Sequence, residues 1–160
     1  MKFRKGTHDA TGLRVGIVVS KFNKFVTSRL LTAAVETLKK AGAMDEALEV
    51  VRVPGAFEIP LAARALARTG RFDAIVCLGA VIRGETPHFE YVAGAAATGL
   101  TGVSREHAIP IGFGVLTVDT LQQAMERAGG SAGNKGHEAA AAALGAADAI
   151  AQLRASHAPH

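Results

Sequence analysis

The run Ala74-Ile75-Val76-Cys77-Leu78 constrains this chain more than any other stretch. It is too short for a helix and rich in β-branched residues, so it reads as a strand buried on both faces. Such a strand needs helices above and below it, which implies a parallel sheet. The run breaks at Gly79 and Gly84, and a polar set accompanies the break: Arg83, Glu85, Thr86 and His88. Titratable groups just past the carboxyl end of a buried strand stand where open α/β sheets bind ligands. Pro87 suits the first turn of a following helix. Backbone N–H groups at such a turn favour an anion, phosphate above all.

The same strand-then-helix unit recurs along the chain. Residues 1–12 are a polar arm, and residues 13–20 (LRVGIVVS) form the first strand. Phe22 and Asn23 follow at the turn, with Asn23 as an N-cap. A helix over residues 24–41 carries Leu31, Ala34, Val35 and Leu38 on one face and ends at Gly42. The second strand, residues 47–53, stops at Pro54-Gly55, and a helix over residues 56–69 shows Ile59, Ala62, Ala63 and Leu66 on one side. The helix after the third strand runs to about Ser104. Its small residues Gly94, Ala95 and Ala97 imply close packing of the sort a neighbouring subunit would suit. The fourth strand covers residues 109–117, where Gly112 and Gly114 leave the backbone open and let the Phe113 ring project. Asp119 or Thr120 caps a helix to about Ala128. A glycine-rich loop, residues 129–136, leads to an Ala-rich helix over residues 137–155 that Gly145 and Asp148 interrupt, and residues 156–160 form a polar tail. The expectation is a single α/β domain, a flavodoxin-like three-layer sandwich around a four-stranded parallel sheet.

Composition excludes several classes. Hydrophobic residues make up 49% of the 160, which supports a folded core. The net charge of +4 is scattered, with only Lys2, Arg4 and Lys5 clustered, so no basic stripe with interleaved aromatics points to nucleic acid. The single cysteine, Cys77, lies in the apolar strand and reads as an inert buried thiol. Residues 1–9 do not resemble a signal peptide, and no apolar stretch approaches the roughly 18–20 residues that span a membrane. A cytoplasmic protein is the expectation. No spacing of His, Cys or acidic residues suits a metal, and no organic cofactor is implied.

Chemistry-bearing residues gather at the strand ends. Phe22 and Phe57 stand at corresponding turns and would sandwich a flat ring, with Asn23 and Glu58 offering hydrogen bonds to a polyol; the alternative is that both rings are core packing. His88, near a helix start, suits proton shuttling, since histidine side chains as a class titrate near neutrality. The loop GGSAGNKG is not a phosphate loop, because Asn134 precedes Lys135 and the loop joins two helices. Arg127 and Lys135 remain beside it, either as mobile cations for an anionic ligand or as ordinary surface charges.

At these residues the chain resembles the lumazine synthase (6,7-dimethyl-8-ribityllumazine synthase) family. The motifs are Ser20-Lys21-Phe22-Asn23; Val53-Pro54-Gly55-Ala56-Phe57-Glu58-Ile59-Pro60; the run GAVIRGETPHF from Gly79 to Phe89; and Glu126-Arg127-Ala128-Gly129 with Ala132-Gly133-Asn134-Lys135-Gly136. The resemblance covers roughly residues 12–153. It implies condensation of 5-amino-6-(D-ribitylamino)uracil with 3,4-dihydroxy-2-butanone 4-phosphate, the penultimate step of riboflavin synthesis, without metal or organic cofactor. By motif, Phe22 would stack on the pyrimidine, and Asn23, Ala56, Phe57 and Glu58 would hold the ribityl chain and ring. Ala80, Val81 and Ile82 would line the pyrimidine pocket. Glu85, Thr86 and Arg127 would bind phosphate, and His88 would move the proton. Phe113, Arg127 and Lys135 would come from the adjacent subunit. Ser131 departs from the family, many of whose members carry lysine there.

The resemblance further implies a homo-oligomer: a pentamer, assembled into an icosahedral sixty-subunit shell where the loop at residues 129–136 is this short. It also implies an association with riboflavin synthase. The arm before Gly12 would add a strand to the adjacent subunit's sheet. Two rivals share the fold: a flavin- or lumazine-binding module without turnover, and a shell protein whose site has decayed. A receiver domain would need an acidic cluster at its strand ends, and none is present.

Overall fold

A computed structural model describes residues 1–157; residues 158–160 of the expected tail lie outside them. Four strands, β1 (Val15–Ser20), β2 (Leu48–Val53), β3 (Ala74–Ile82) and β4 (Ile111–Val118), form one parallel sheet in the order β2-β1-β3-β4. Five helices connect and cover them: α1 (Lys24–Lys40), α2 (Ile59–Arg68), α3 (His88–His107), α4 (Leu121–Glu126) and α5 (Lys135–Ser156). The α/β, flavodoxin-like expectation holds.

Alternation along the central strand builds two cores. Ala74, Val76, Leu78 and Ala80 of β3 face Leu30, Ala34 and Leu38 of α1 and Ala140 and Leu144 of α5. Ile75, Cys77 and Val81 face Ile59, Ala63 and Leu66 of α2 and Leu100 and Val103 of α3. Burial pushes the Cys77 thiol pKa well above its ordinary value, so the sulfur is inert.

Several local expectations change in three dimensions. Gly79 does not break β3, which continues to Ile82. A Cβ at Gly79 would lie 3.0 Å from Ser20 Oγ and 3.1 Å from Ile59 Cδ1, so close packing, not a turn, requires glycine there. The backbone around Phe113 is not open. A Cβ at Gly112 would fall on the Ala139 carbonyl, and one at Gly114 would lie 3.1 Å from the Ala139 methyl, so α5 rests directly on β4. The ring of Phe113 projects from the opposite face and is 45% exposed. The glycine-rich segment is a hairpin of β5 (Ala128–Gly130) and β6 (Gly133–Asn134), with Ser131 at its tip. The Asn134 side chain accepts hydrogen bonds from the N–H groups of Gly136 at 2.8 Å and His137 at 3.3 Å, so α5 starts before His137. Thr120, not Asp119, caps α4, accepting from the Gln123 N–H at 3.1 Å.

Part of the close packing expected of α3 lies within the chain. A Cβ at Gly99 would press on Pro60 of α2, whereas Gly94 and Gly102 have open space beside them. The N-terminal arm forms no strand within this chain. It runs along α5: the Thr7 N–H and hydroxyl donate to Asp148 at 2.8 and 3.2 Å, and the Gln152 amide donates to the Lys5 carbonyl at 2.8 Å. Gly6 sits so close to the Gly145 backbone that no side chain fits. The residues that interrupt the Ala-rich helix are therefore the arm's seat.

Candidate functional site

The carboxyl ends of β1, β2 and β3 meet at one edge of the sheet, and backbone bonds tie them together. The Lys21 N–H donates to Val53 at 2.8 Å and the Phe22 N–H to Pro54 at 3.0 Å, joining the first turn to the second. Asn23 takes up the left-handed conformation, with φ 58°. Asparagine tolerates that region better than most residues. Its side chain does not cap α1 as the sequence suggested; the amide donates across to the Ala80 carbonyl at 2.9 Å and joins the first turn to the third strand. Ser20 Oγ, buried at the end of β1, has no hydrogen-bond partner among the described residues.

These turns enclose a cavity of about 480 Å³. Phe22, Asn23, Ala56, Phe57, Glu58, Ala80, Val81, Ile82, Thr86 and His88 all line it, together with Gly55, Gly84, Phe89 and Val92. Phe22 is 72% exposed and Phe57 64%, so neither ring is core packing. Two free aromatic faces beside a half-open cavity suit a flat ring. The cavity's volume suits a small organic molecule.

The third turn has a distinct character. Arg83, Gly84, Glu85, Thr86, Pro87 and His88 are all exposed. Among the described residues, the N–H groups of Gly84, Glu85 and Thr86 donate to no protein acceptor. Three unused donors ahead of the long helix α3 suit an oxyanion. Glu85 does not line the cavity, and its carboxylate would repel an anion, so only its backbone N–H can contribute. Phe89 and Val92 were not among the expected site residues. Their signal was helical spacing: Val92 is four residues from His88 and three from Phe89, on one face of α3.

Phe113, Arg127 and Lys135 are not at this cavity. Phe113 lines a separate groove with Ala97, Leu100 and Thr101 of α3. The Arg127 guanidinium donates to the Gln123 carbonyl at 3.0 Å and lies 3.7 Å from Glu126; Lys135 lies 3.6 Å from Glu138. The Lys135 N–H donates to the Arg127 carbonyl at 2.8 Å, so the hairpin joins the two residues through their backbones and leaves both side chains partly exposed. Among the described residues no cluster of three or more His, Cys, Asp or Glu could hold a metal, and no helix is long and apolar enough to cross a membrane.

A family model described as 6,7-dimethyl-8-ribityllumazine synthase matches residues 12–151. The chain belongs to this family. The match spans all four strands, all but the last residues of α5, and every residue around the cavity. The lumazine synthases are transferases that form 6,7-dimethyl-8-ribityllumazine in riboflavin biosynthesis, and they are oligomers. Within this lumazine synthase fold, the ring-binding and proton-moving candidates converge in one chain, and the cationic candidates do not.

Proposed function

We propose that the chain condenses 5-amino-6-(D-ribitylamino)uracil with 3,4-dihydroxy-2-butanone 4-phosphate, releasing phosphate and water. The observation that carries this reading is the cavity at the ends of β1, β2 and β3, flanked by Phe22 and Phe57 and bordered by His88 and three unused N–H groups. The substrate amine attacks the substrate ketone, so the imine forms between the two substrates and the protein needs no nucleophile. Its task is to hold both in reacting geometry, which lowers the entropic part of the barrier. In this reading Phe22 stacks on the pyrimidine. Asn23, Ala56, Phe57 and Glu58 hold the ring and ribityl chain, and the backbones of Ala80, Val81 and Ile82 border the ring. The N–H groups of Gly84, Glu85 and Thr86 receive the phosphate, and His88 transfers the proton.

The same reading makes the active site a joint property of two subunits, with Phe113, Arg127 and Lys135 supplied by the neighbour. That assignment gives the exposed Phe113 ring and the surface cations a use that they lack in the lone chain. It goes with a pentamer closed into a sixty-subunit shell, an N-terminal strand added to the adjacent sheet, an association with riboflavin synthase and a cytoplasmic setting. Ser131 leaves one cation fewer near the phosphate. Light scattering that gave a particle of pentamer mass at working concentration would remove the shell.

The test mixes purified protein with both substrates and follows lumazine absorbance and phosphate release together. Equal amounts of both, well above the spontaneous reaction, are expected. Binding of the uracil with neither signal would make the chain a flavin- or lumazine-binding protein instead.

A further inference from the structure

The exposed turn between β3 and α3 carries His88 and the unused N–H groups, yet no buried side chain anchors it. From Arg83 to His88 every residue is exposed, and Phe89 is the first that is partly buried. A glycine opens this segment, and a Cβ at Gly84 would meet nothing within 4 Å. Backbone bonds hold only its two ends: the Arg83 N–H donates to Val118 at 2.8 Å, and the Glu90 N–H to Pro87 at 3.0 Å. A site whose chemistry depends on geometry needs such a turn held in place.

Arg83 makes the side-chain ties that could do this. Its guanidinium lies 5.4 Å from the centroid of the Phe89 ring, next in sequence to His88, and 3.7 Å from the Asp119 carboxylate beyond the end of β4. Asp119 is itself held, because its N–H donates to the Gln123 side chain at 2.8 Å and so fixes it to the start of α4. The guanidinium plane suits both partners at once, stacking on a ring face while its edge meets a carboxylate. Arg83 does not line the cavity.

We propose that Arg83 is a positioning residue: it bridges Phe89 and Asp119, and so holds the Gly84–Thr86 donors and His88 in the geometry that receives the phosphate-bearing substrate. The inference rests on the function proposed above. It differs from it in naming a residue outside the site and a partner, Asp119, that carries the same sign as the substrate's phosphate.

Three variants test it: Arg83→Gln, Arg83→Lys and Asp119→Asn, each with wild type alongside. Steady-state rates are measured with each substrate varied in turn, and inorganic phosphate affinity is measured by titration calorimetry. Both ties are exposed and individually weak, so Arg83→Gln should lower kcat/KM for the phosphate-bearing substrate by roughly 3- to 10-fold. KM for the pyrimidine should stay within about 2-fold, because Phe22 and Phe57 stand on other turns. Arg83→Lys should recover part of the loss, since it keeps the charge but not the plane.

Asp119→Asn separates positioning from direct contact. Removing a carboxylate near an anion site strengthens anion binding if Arg83 itself touches the phosphate. If Arg83 positions the turn, the same change frees the guanidinium and weakens phosphate binding. Weaker binding in both Arg83→Gln and Asp119→Asn supports the proposal. Tighter binding in Asp119→Asn, unchanged kcat/KM in Arg83→Gln, or equal losses for both substrates together with a lower Tm would each overturn it. A wild-type protein that makes no lumazine would sink the proposed function alone. The phosphate titration would then still decide the role of Arg83.

Discussion

Two regions of the chain carry candidate site residues, and they behave differently. At the ends of β1, β2 and β3, hydrogen bonds from Lys21, Phe22 and Asn23 lock three turns around one cavity. At β4 and around the hairpin, Phe113 lines a separate groove with α3, and Arg127 and Lys135 are paired with carboxylates close in sequence, Glu126 and Glu138. The first region is complete as a pocket within one chain. The second forms no pocket of its own with the first, and its exposed ion pairs add little stability. Under the proposed function the two regions are halves of one site, which assembly with a second copy would join.

The sharpest way to break this comparison is to put a defect in each half separately. Arg127→Ala should reduce kcat/KM for the phosphate-bearing substrate about 10²-fold through lost charge-assisted bonds, leaving pyrimidine affinity unchanged. His88→Ala should reduce turnover by about 10²-fold or less while both substrates still bind. If the halves come from different subunits, subunits of the two variants, dissociated together and reassembled in equal amounts, should recover about one quarter of wild-type activity, because random neighbours rebuild that share of intact sites. No recovery in assemblies shown to be mixed would mean that both residues serve one chain.

Smaller effects sharpen the picture of the first half. Phe22→Ala should weaken pyrimidine affinity about 10-fold, the worth of one aromatic stack, without changing phosphate affinity. A titration showing the reverse pattern would take Phe22 out of the ring site.

The arm gives the smallest effect. The Thr7 N–H, then the Gln152 amide, hold the Asp148 carboxyl pKa below its ordinary value of 3.8. A depressed carboxylate contributes its hold on the arm above the ordinary value and loses it as pH falls through the lower, folded one. Amide exchange at Thr7 should therefore lose protection only below about pH 4. Asp148→Asn should remove that pH dependence while changing kcat/KM less than about 2-fold, since the arm touches neither half of the site. A larger loss of activity would tie the arm to the chemistry.

Legibility in the sequence followed the range of the physics. The β3 run, the helix faces of α1 and α2 and the four-strand order of elements were readable because burial on a period of 2 or 3.6 is a local pattern. Phe22, Phe57 and His88 were readable as a set because each follows a strand end, and parallel strands bring their ends together. Gly79 reads in sequence as a break and Gly112 and Gly114 as open backbone, because a glycine that admits Ile59 or α5 looks locally like one with nothing beside it. Asn23 looked like a cap because its partner, Ala80, lies fifty-seven residues away. Gly145 and Asp148 looked like flaws in a helix, and their use appears only when Gly6 and Thr7 lie against them.

By itself, then, the sequence determined the alternation of elements, the two-sided burial of the sheet and the strand ends at which chemistry collects, because each depends on neighbours a few residues apart. The tertiary structure alone decided which of those residues share a cavity, that Phe113, Arg127 and Lys135 do not, and that Arg83 reaches both Phe89 and Asp119. Apart from the Arg83–Phe89 contact, those facts rest on distances between segments far apart along the chain, and no local periodicity encodes them.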